Sequence, residues 1–382
     1  MLAKIHLQYY TILENFLASK HWKLYVVVAC VFSILFFSLP YHKRITDELQ
    51  QKPDRYLKWQ QLKQHAEHPF TQIQAEPNSH QAKLTFRLTM PLLLRALQYN
   101  IVAFYLVQAF LGLIFCWFLA DFFAKLLDSR VIAALLTFGI ANIYAGASFF
   151  IDTLASYDPF AYIFLLLAIC YRQPLYIFVL IQLAAWTDER GLVASCLVYL
   201  FWYLQIYTPK TNFIRSVLQF SPPLLAILSS IAVYLLGRFC LGYFLGLHTP
   251  LGNAGFEAFL ENIKLTGLGV WTGLEGFWLL ILVMFVVLYY TKEYLLLILV
   301  LSATIFISLI AVMVYDITRS IGYLYLLIPI ACLILQTRIS KKELYYVLLA
   351  SIVISFIFPM YVIKNNITYL EPIYLRVIES IR

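Results

Sequence analysis

The chain has 382 residues, of which 62% are hydrophobic, and its mean hydropathy is +0.79. Soluble domains are close to half apolar, so this composition excludes a soluble protein and indicates an integral membrane protein. The formal net charge of +8 does not point to nucleic acid, because basic residues in a membrane protein also hold loops in the cytoplasm.

Apolar stretches separated by short charged loops predict about eleven transmembrane helices, because a span needs about 20 residues at 1.5 Å each. We predict an all-α polytopic transmembrane bundle that forms one integral membrane domain over residues 1–382. The first span lacks a small-residue cleavage site, which favours a retained helix over a signal peptide. The spans are predicted near 24–40, 99–119, 131–151, 154–171, 173–189, 191–207, 217–237, 275–291, 294–314, 320–337 and 344–362.

Lysine and arginine predict a cytoplasmic N-terminus, as expected for a multi-pass protein of the bacterial inner membrane. In this orientation twelve basic residues lie inside and, without the long first loop, seven lie outside. If only one helix crossed between residues 152 and 190, every later loop would change side. The inner set is Lys4, Lys20, Lys23, Lys125, Arg130, Arg172, Lys210, Arg215, Lys292, Arg338, Lys341 and Lys342, and the outer set is Arg190, Arg238, Lys264, Arg319, Lys364, Arg376 and Arg382.

Two predicted extracytoplasmic loops, 41–98 and 247–274, are long enough to hold amphipathic helices. Trp59 and Leu62 recur at helical spacing in the first loop, and Phe256 and Ile263 lie on one predicted helical face in the second, which Asn253 can cap. Helices of this type lie along a membrane surface and can cover a site.

The six cysteines lie in or next to apolar spans and form no C-x-x-C or Cys/His cluster, so we interpret them as core residues. The chain has no phosphate-binding loop, dinucleotide fingerprint, H-E-x-x-H or G-x-S-x-G motif. No metal ligands and no certain cofactor are predicted, and a divalent cation, Mg²⁺ or Mn²⁺, is left as an open alternative.

Ionisable residues that suggest chemistry fall in the predicted extracytoplasmic loops. Asp188, Glu189 and Arg190 follow one another at the end of a short span, where charges are costly unless they face water, each other or a ligand. A solvated turn explains this motif equally well. Asp152 and Asp158 lie in the preceding outer loop, and Asp158 also suits a helix start because Pro159 follows it.

Two further groups are weaker candidates. Asp316 and Arg319 are three residues apart, and an internal ion pair explains them simply, although the planar fork of arginine also suits phosphate. In the first loop, Arg87 is one of several basic residues at helical spacing, for which interfacial snorkelling is the simpler explanation. His80 and His248 are the external histidines closest to apolar segments, and we rank them low.

The pattern resembles the GT-C glycosyltransferases over about residues 24–210. It consists of one span, a long outer loop with early acids at Asp47 and Glu48, the sequence SYDPFAY at 156–162, and the acidic and basic run at 188–190. The resemblance implies an enzyme that takes a sugar from a polyprenyl-phosphate donor on the extracytoplasmic face. It implies a catalytic base at Asp47 or, less closely, Glu48. The tight acidic pair that is usual in the family is here part of a polar stretch.

The resemblance also implies a role for an acid of the second outer loop, Asp152 or Asp158. We therefore predict a cell-envelope transferase that moves a hexose or pentose to a lipid, glycan or protein acceptor. Its partners are the lipid bilayer, the lipid-linked sugar and an unknown acceptor, and no nucleic acid. The predicted catalytic residues are Asp47, Asp158, Glu48 and Asp152, and the predicted donor-phosphate or substrate contacts are Arg87, Asp188, Glu189, Arg190, Asp316, Arg319, His80 and His248.

Three rival functions are left open by the sequence. A secondary transporter usually carries an ionisable group or a broken helix near the middle of the membrane, and the predicted spans contain no central Asp, Glu, Lys or Arg. A lipid-linked glycan flippase or a non-catalytic envelope-assembly protein is the second rival, and a polysaccharide polymerase or ligase is the third.

Overall fold

The computed structural model describes residues 11–38, 57–73, 84–152, 157–207, 221–249, 254–358, 361–363, 367–369 and 378. Within these ranges the protein is all-α, with 16 helices and one pair of short antiparallel strands, which confirms the all-α part of the predicted fold class. The predicted site residues Asp47, Glu48 and His80 and the predicted cap Asn253 lie outside the described residues.

The helices follow the apolar stretches of the sequence, and most of the chain between residues 84 and 358 is helical. They are α1 Trp22–Ser38, α2 Leu57–Glu67, α3 Thr89–Ala96, α4 Ile101–Leu127, α5 Arg130–Asn142, α6 Tyr144–Ile151, α7 Asp158–Cys170, α8 Pro174–Thr187, α9 Glu189–Leu204, α10 Pro222–Leu245, α11 Ala254–Leu274, α12 Phe277–Tyr290, α13 Tyr294–Val312, α14 Ile317–Ile321, a 3₁₀ segment Gly322–Leu326, α15 Leu327–Leu335 and α16 Lys341–Ile357. The strands are β1 Tyr361–Ile363 and β2 Ile367–Tyr369.

By length and composition, 4 helices in the described residues can cross a membrane, or up to 7 if each of three bent helix pairs is one span. The four are α4, α10, α13 and the continuous helical stretch Ile317–Leu335. The apolar helices α7 and α8 are shorter, with 13 and 14 residues. This set of apolar helices is consistent with a multi-pass integral membrane protein in contact with the lipid bilayer.

The stretch Ile317–Leu335 forms the centre of the bundle. Of its most apolar window 94% is buried inside the protein, compared with 28% for α4 and for α10. On α10, Phe239 and Tyr243 are exposed, as is typical of a helix that faces lipid. Arg319 is the third residue of the central stretch, so a charged residue lies in the first turn of the most enclosed helix of the described part.

Helix α11 is much longer than the short interfacial helix predicted in the 247–274 loop. Phe256 and Ile263 are exposed on one side, as the predicted amphipathic face requires. The other side of its second half packs closely on α14 because it carries glycine. A Cβ added at Gly273 would lie 2.6 Å from Cβ of Ile321. This close approach allows Thr272 Oγ1 and Thr318 Oγ1 to form a 2.7 Å hydrogen bond.

The first long loop also folds against the bundle. In α2, Trp59 and Leu62 are buried, as their spacing predicted. The Trp59 ring packs edge-on against Phe104 with centroids 5.6 Å apart, and Phe104 contacts Phe160 at 5.3 Å. Because Phe160 lies in the first turn of α7, α2 covers the end of the bundle at which α7 begins.

The close contact between α11 and α14 predicts a large effect of one added methyl group. Gly273→Ala should lower the free energy of unfolding by about 1 to 3 kcal/mol, because the new Cβ overlaps Ile321 and the two helices must separate. Unfolding can be followed in detergent by heat or denaturant.

The matched control is Gly267→Ala in the same helix, where an added Cβ meets nothing within 4 Å. It should be neutral or stabilising by up to about 1 kcal/mol, because alanine favours helix over glycine. Equal stability of the two variants would contradict the packing of α11 on α14.

Candidate functional site

Eight charged side chains from five segments meet at one end of the helix bundle. We call this group the ionic cluster. It combines four arginines with four acids, so its formal charge is zero. Its members are Arg87, Asp158, Asp188, Glu189, Arg190, Arg238, Asp316 and Arg319.

Asp158 lies at the centre of the ionic cluster and is completely buried. Its Oδ1 accepts a hydrogen bond from Nη2 of Arg190 at 2.7 Å, and its Oδ2 accepts one from Nε of Arg319 at 2.8 Å. The side chain therefore does not serve as a helix cap, which was the simpler explanation from sequence. With both oxygens engaged by guanidinium groups, Asp158 is suited to hold arginines rather than to accept a proton.

Asp188 is the second fully buried acid and connects three parts of the cluster. It caps α9 by accepting the backbone N–H of Arg190 at 2.9 Å, and it also accepts Nε of the same residue at 2.9 Å. Its Oδ2 lies 2.7 Å from Nη1 of Arg87. Burial alone would raise the pKa of Asp188, but Arg190 and Arg87 outweigh it and hold that pKa well below its usual value.

The junction between α8 and α9 positions this pair through a glycine. A Cβ added at Gly191 would lie 2.7 Å from the carbonyl oxygen of Ala184, so only glycine lets the first turn of α9 approach α8 this closely. The short link explains why three consecutive charges face the interior instead of solvent.

Two further acids lie at the edge of the cluster and are partly accessible. Glu189 is 3.0 Å from Nε of Arg87, and Asp316 is 3.0 Å from Nη1 of Arg319. Their side chains are 27% and 20% exposed, whereas those of Asp158 and Asp188 are 0% exposed. We call Glu189 and Asp316 the rim acids, and Asp158 and Asp188 the inner acids.

Aromatic rings line the arginines. The guanidinium of Arg190 lies 5.4 Å from the ring of Tyr323, and that of Arg87 lies 5.7 Å from the ring of Tyr157. The Tyr323 hydroxyl is buried and has no hydrogen-bond partner among the described residues. A buried hydroxyl without a partner is uncommon in folded proteins, and this one belongs to the ring that packs against Arg190.

Asp152 follows α6 at the same end of the bundle. Its Oδ2 accepts a hydrogen bond from the Tyr144 hydroxyl at 2.9 Å, and its backbone carbonyl accepts one from Nε2 of Gln108 at 2.8 Å. It is partly accessible, and its carboxylate interacts electrostatically with Arg319. Helix α6 packs against the 3₁₀ segment, which places Asp152 beside the cluster.

The structure thus brings together seven of the predicted site residues and places Asp152 next to them. It does not bring His248 into the cluster. That residue is exposed, its backbone N–H donates to Oε1 of Gln72 at 2.9 Å, and its ring faces the carbonyl of Gly246. His248 lies only at the edge, because the neighbouring Thr249 accepts a hydrogen bond from Arg238 at 2.7 Å.

Three contributors were not predicted from the sequence. The Ser320 hydroxyl accepts a hydrogen bond from Nη1 of Arg190 at 2.7 Å, and the guanidinium of Arg238 stacks 4.1 Å from the ring of Phe86. Tyr323 is the third. Tyr323 lies four residues after Arg319, so helical spacing from that arginine was the available signal for it, whereas Ser320 is its direct neighbour in sequence. Arg238 carried no local signal beyond being a charge in an apolar helix.

The acids of the cluster do not form a metal site. Within the described ranges, no group of three or more His, Cys, Asp or Glu residues is arranged to hold a metal ion. The oxygens of the inner acids accept hydrogen bonds from guanidinium groups, so this donor set fits arginine and not Mg²⁺ or Mn²⁺. Comparison of the chain with family models, curated proteins and solved structures finds no match.

The burial of the inner acids predicts a strong dependence on Arg190. Arg190→Gln should lower the free energy of unfolding by about 3 to 5 kcal/mol, because it leaves charge on Asp158 and Asp188 without its main partner. Asp188→Asn in the same chain should restore part of the loss. Denaturant unfolding in mixed micelles of the two single variants and the double variant measures the coupling.

Arg238→Gln is the control, because this arginine is 26% exposed and lies 3.9 Å from Glu189. This substitution should lower the free energy of unfolding by about 1 kcal/mol or less. If the double variant lost the sum of the unfolding free energies lost by Arg190→Gln and Asp188→Asn, the two residues would not act as a unit.

Proposed function

We propose that the protein is a membrane glycosyltransferase of GT-C type, which transfers a sugar from a polyprenyl-phosphate donor to a lipid, glycan or protein acceptor. The ionic cluster is the observation that carries this proposal. Arginine is costly in an apolar bundle, and arginines that converge from separate helices suit an anionic ligand. A guanidinium can bind a phosphate through two parallel hydrogen bonds.

The two kinds of acid suggest how a phosphate enters a neutral cluster. The inner acids hold Arg190 and Arg319 in place from the buried side. The rim acids occupy guanidinium edges that face outward, on Arg87 and Arg319. A lipid phosphate would replace the rim acids, which can turn to solvent, while the inner acids keep the arginines aligned.

In the proposed reaction the acceptor hydroxyl oxygen attacks the anomeric carbon of the sugar. The bond from that carbon to the phosphate oxygen breaks, and the phosphate leaves with the electron pair. The arginines stabilise the charge that develops on the leaving phosphate. The acceptor proton passes to a carboxylate, for which we propose Asp152 or Asp47, because Asp158 is engaged by two arginines. The Tyr323 hydroxyl would donate to a substrate oxygen.

The proposed topology has eleven passes, formed by α1, α4, α5 with α6, α7, α8, α9, α10, α12, α13, α14 with α15, and α16. The N-terminus lies in the cytoplasm of a bacterium, and α2, α3 and α11 lie on the outer side of its inner membrane with the ionic cluster. Helix α7 has 13 residues and is about 20 Å long, less than the roughly 30 Å hydrocarbon core. A short helix draws its charged end toward the depth of a lipid phosphate.

Proton- or ion-coupled transport is the second candidate, and Glu275 favours it. This residue links α11 to α12, which are bent by 87°, and adopts a left-handed φ of 50°. It is 2% exposed, and its Oε1 has no hydrogen-bond partner among the described residues. A broken helix with a buried ionisable group is typical of transporters, so Glu275 is the residue on which the two functions differ.

The rim acids give the sharpest test of the proposed function. Glu189→Gln and Asp316→Asn should each strengthen binding of a polyprenyl-phosphate sugar several-fold, because each removes a carboxylate that competes with the phosphate. Asp152→Asn should instead lower transfer by about 10²-fold, if that acid is the base. Donor binding and the rate of sugar transfer can be measured with purified protein, a panel of polyprenyl-phosphate sugars and mixed acceptors.

Asp128→Asn is the control, because its side chain is 98% exposed and lies outside the cluster, so transfer should not change. Glu275→Gln should also leave transfer intact. Transport would be favoured if no donor supported transfer and if proteoliposomes of the unchanged protein showed proton-driven uptake of a lipid-linked sugar that Glu275→Gln proteoliposomes lacked. Weaker lipid binding in both rim variants would contradict the displacement of rim acids.

The topology predicts opposite accessibility for two exposed positions. In a chain without its native cysteines, His248→Cys should react with an impermeant thiol reagent added outside the cell, and Lys341→Cys should not. Both side chains are exposed, so reactivity reports the side of the membrane. Three proposed passes separate His248 from Lys341, so the two positions should lie on opposite sides of the membrane. Labelling of both positions from one side would contradict three passes between them.

A further inference from the structure

A cavity of about 500 Å³ lies at the opposite end of the bundle from the ionic cluster. It is surrounded by the C-terminal ends of α4, α7, α9 and α15. Helices α7 and α9 begin in the ionic cluster and end at the cavity, so about 20 Å of helix separates the two places. Its volume is in the range of small-molecule sites.

The charges at the cavity are predominantly positive. Asp121 forms ion pairs with both Lys23 and Lys125, so one acid faces two lysines. Arg172 also lines the cavity, is exposed, and forms no hydrogen bond or ion pair with the residues that the structure describes. Among the described residues, the cavity lining therefore holds two basic side chains and one acid, and the acid pairs with Lys125 rather than with Arg172.

The C-terminal helix ends carry partial negative charge, and donors of the protein offset it at two of the four ends. Nε1 of Trp202 donates to the carbonyl of Ala168 at 3.0 Å at the end of α7. Nη1 of Arg338 donates to the carbonyl of Ile334 at 2.7 Å at the end of α15. An anion is thus a better complement to the free Arg172 than a cation is.

Aromatic rings lead from the cavity to the outer surface of the bundle. The ring of Phe118 lies 5.9 Å from that of Tyr171, which lies 5.6 Å from that of Tyr176. Both tyrosines are exposed, as in the aromatic belts found at membrane interfaces. Next to them, Leu175 and Val179 are exposed on α8 and continue toward the middle of the bundle.

From this arrangement we propose that the cavity binds the phosphate headgroup of an anionic membrane lipid. Arg172 contacts the phosphate, Lys125 contributes a second positive charge, and an acyl chain lies along the exposed face of α8. Snorkelling of these basic stems alone would not account for the space between the four helix ends. The proposal does not depend on a transferase activity, because the site is remote from the ionic cluster.

The test is lipid binding to the purified full chain, measured by native mass spectrometry and by a fluorescent-lipid titration without any sugar donor. Phosphatidylglycerol should bind more tightly than phosphatidylcholine with the same acyl chains. Arg172→Gln should weaken phosphatidylglycerol binding by about 10-fold or more, because it removes a charge-assisted hydrogen bond. Arg172→Lys should retain part of the affinity.

Lys292→Gln is the matched control, because Lys292 is exposed, is also predicted to lie on the inner side and does not line the cavity. The affinity of the Lys292→Gln variant for phosphatidylglycerol should stay within about 2-fold of that of the unchanged protein. Inorganic phosphate at millimolar concentration should not displace the lipid. Equal binding of the two lipids, an equal loss in Arg172→Gln and Lys292→Gln, or full displacement by phosphate would each overturn the proposal.

Discussion

The pairing of Asp158 with two arginines is the interaction on which the arrangement of this end of the bundle depends. Its carboxylate is wholly buried and accepts hydrogen bonds from Arg190 and Arg319, which lie in the first turns of two different helical stretches. A buried charge without a partner costs several kcal/mol, so neither arginine can leave without a large penalty. The carboxylate thereby fixes the starts of α7, α9 and α14 relative to one another.

Close helix packing makes this pairing geometrically accessible. Gly191 lets α9 start directly against α8, and Gly273 lets α11 approach α14. Dispersion and close contact drive the association of helices in lipid, since lipid tails are as apolar as leucine. The small residues therefore determine how far the charged helix ends can approach, and the ion pairs then select one register among the packings that the apolar surfaces would allow.

Sequence patterns predicted much of this arrangement and missed a definite part of it. Hydropathy located the helices, and the assignment of alternating directions placed Asp158, Asp188, Arg190 and Arg319 at one end. Partner choice was not accessible, because any of these acids could face any arginine, and the structure pairs Arg87 with Asp188 across about 100 residues of sequence. The boundary between the 247–274 loop and the 275–291 span was predicted at Glu275, but the burial of its carboxyl group was not, because an acid after Leu274 resembles an ordinary helix end.

The two ends of the bundle differ in how their charges are balanced, and this difference constrains their chemistry. In the ionic cluster four arginines face four acids, so an anion can enter only if a carboxylate withdraws or gains a proton. Exchange of this kind suits a site that must release its ligand after each turnover. At the cavity Asp121 pairs with Lys125, but none of the described acids pairs with Arg172, so an anion can bind this guanidinium without displacing a described carboxylate. A site that binds without exchange is suited to a lipid that stays bound, whereas a site with exchange is suited to a substrate.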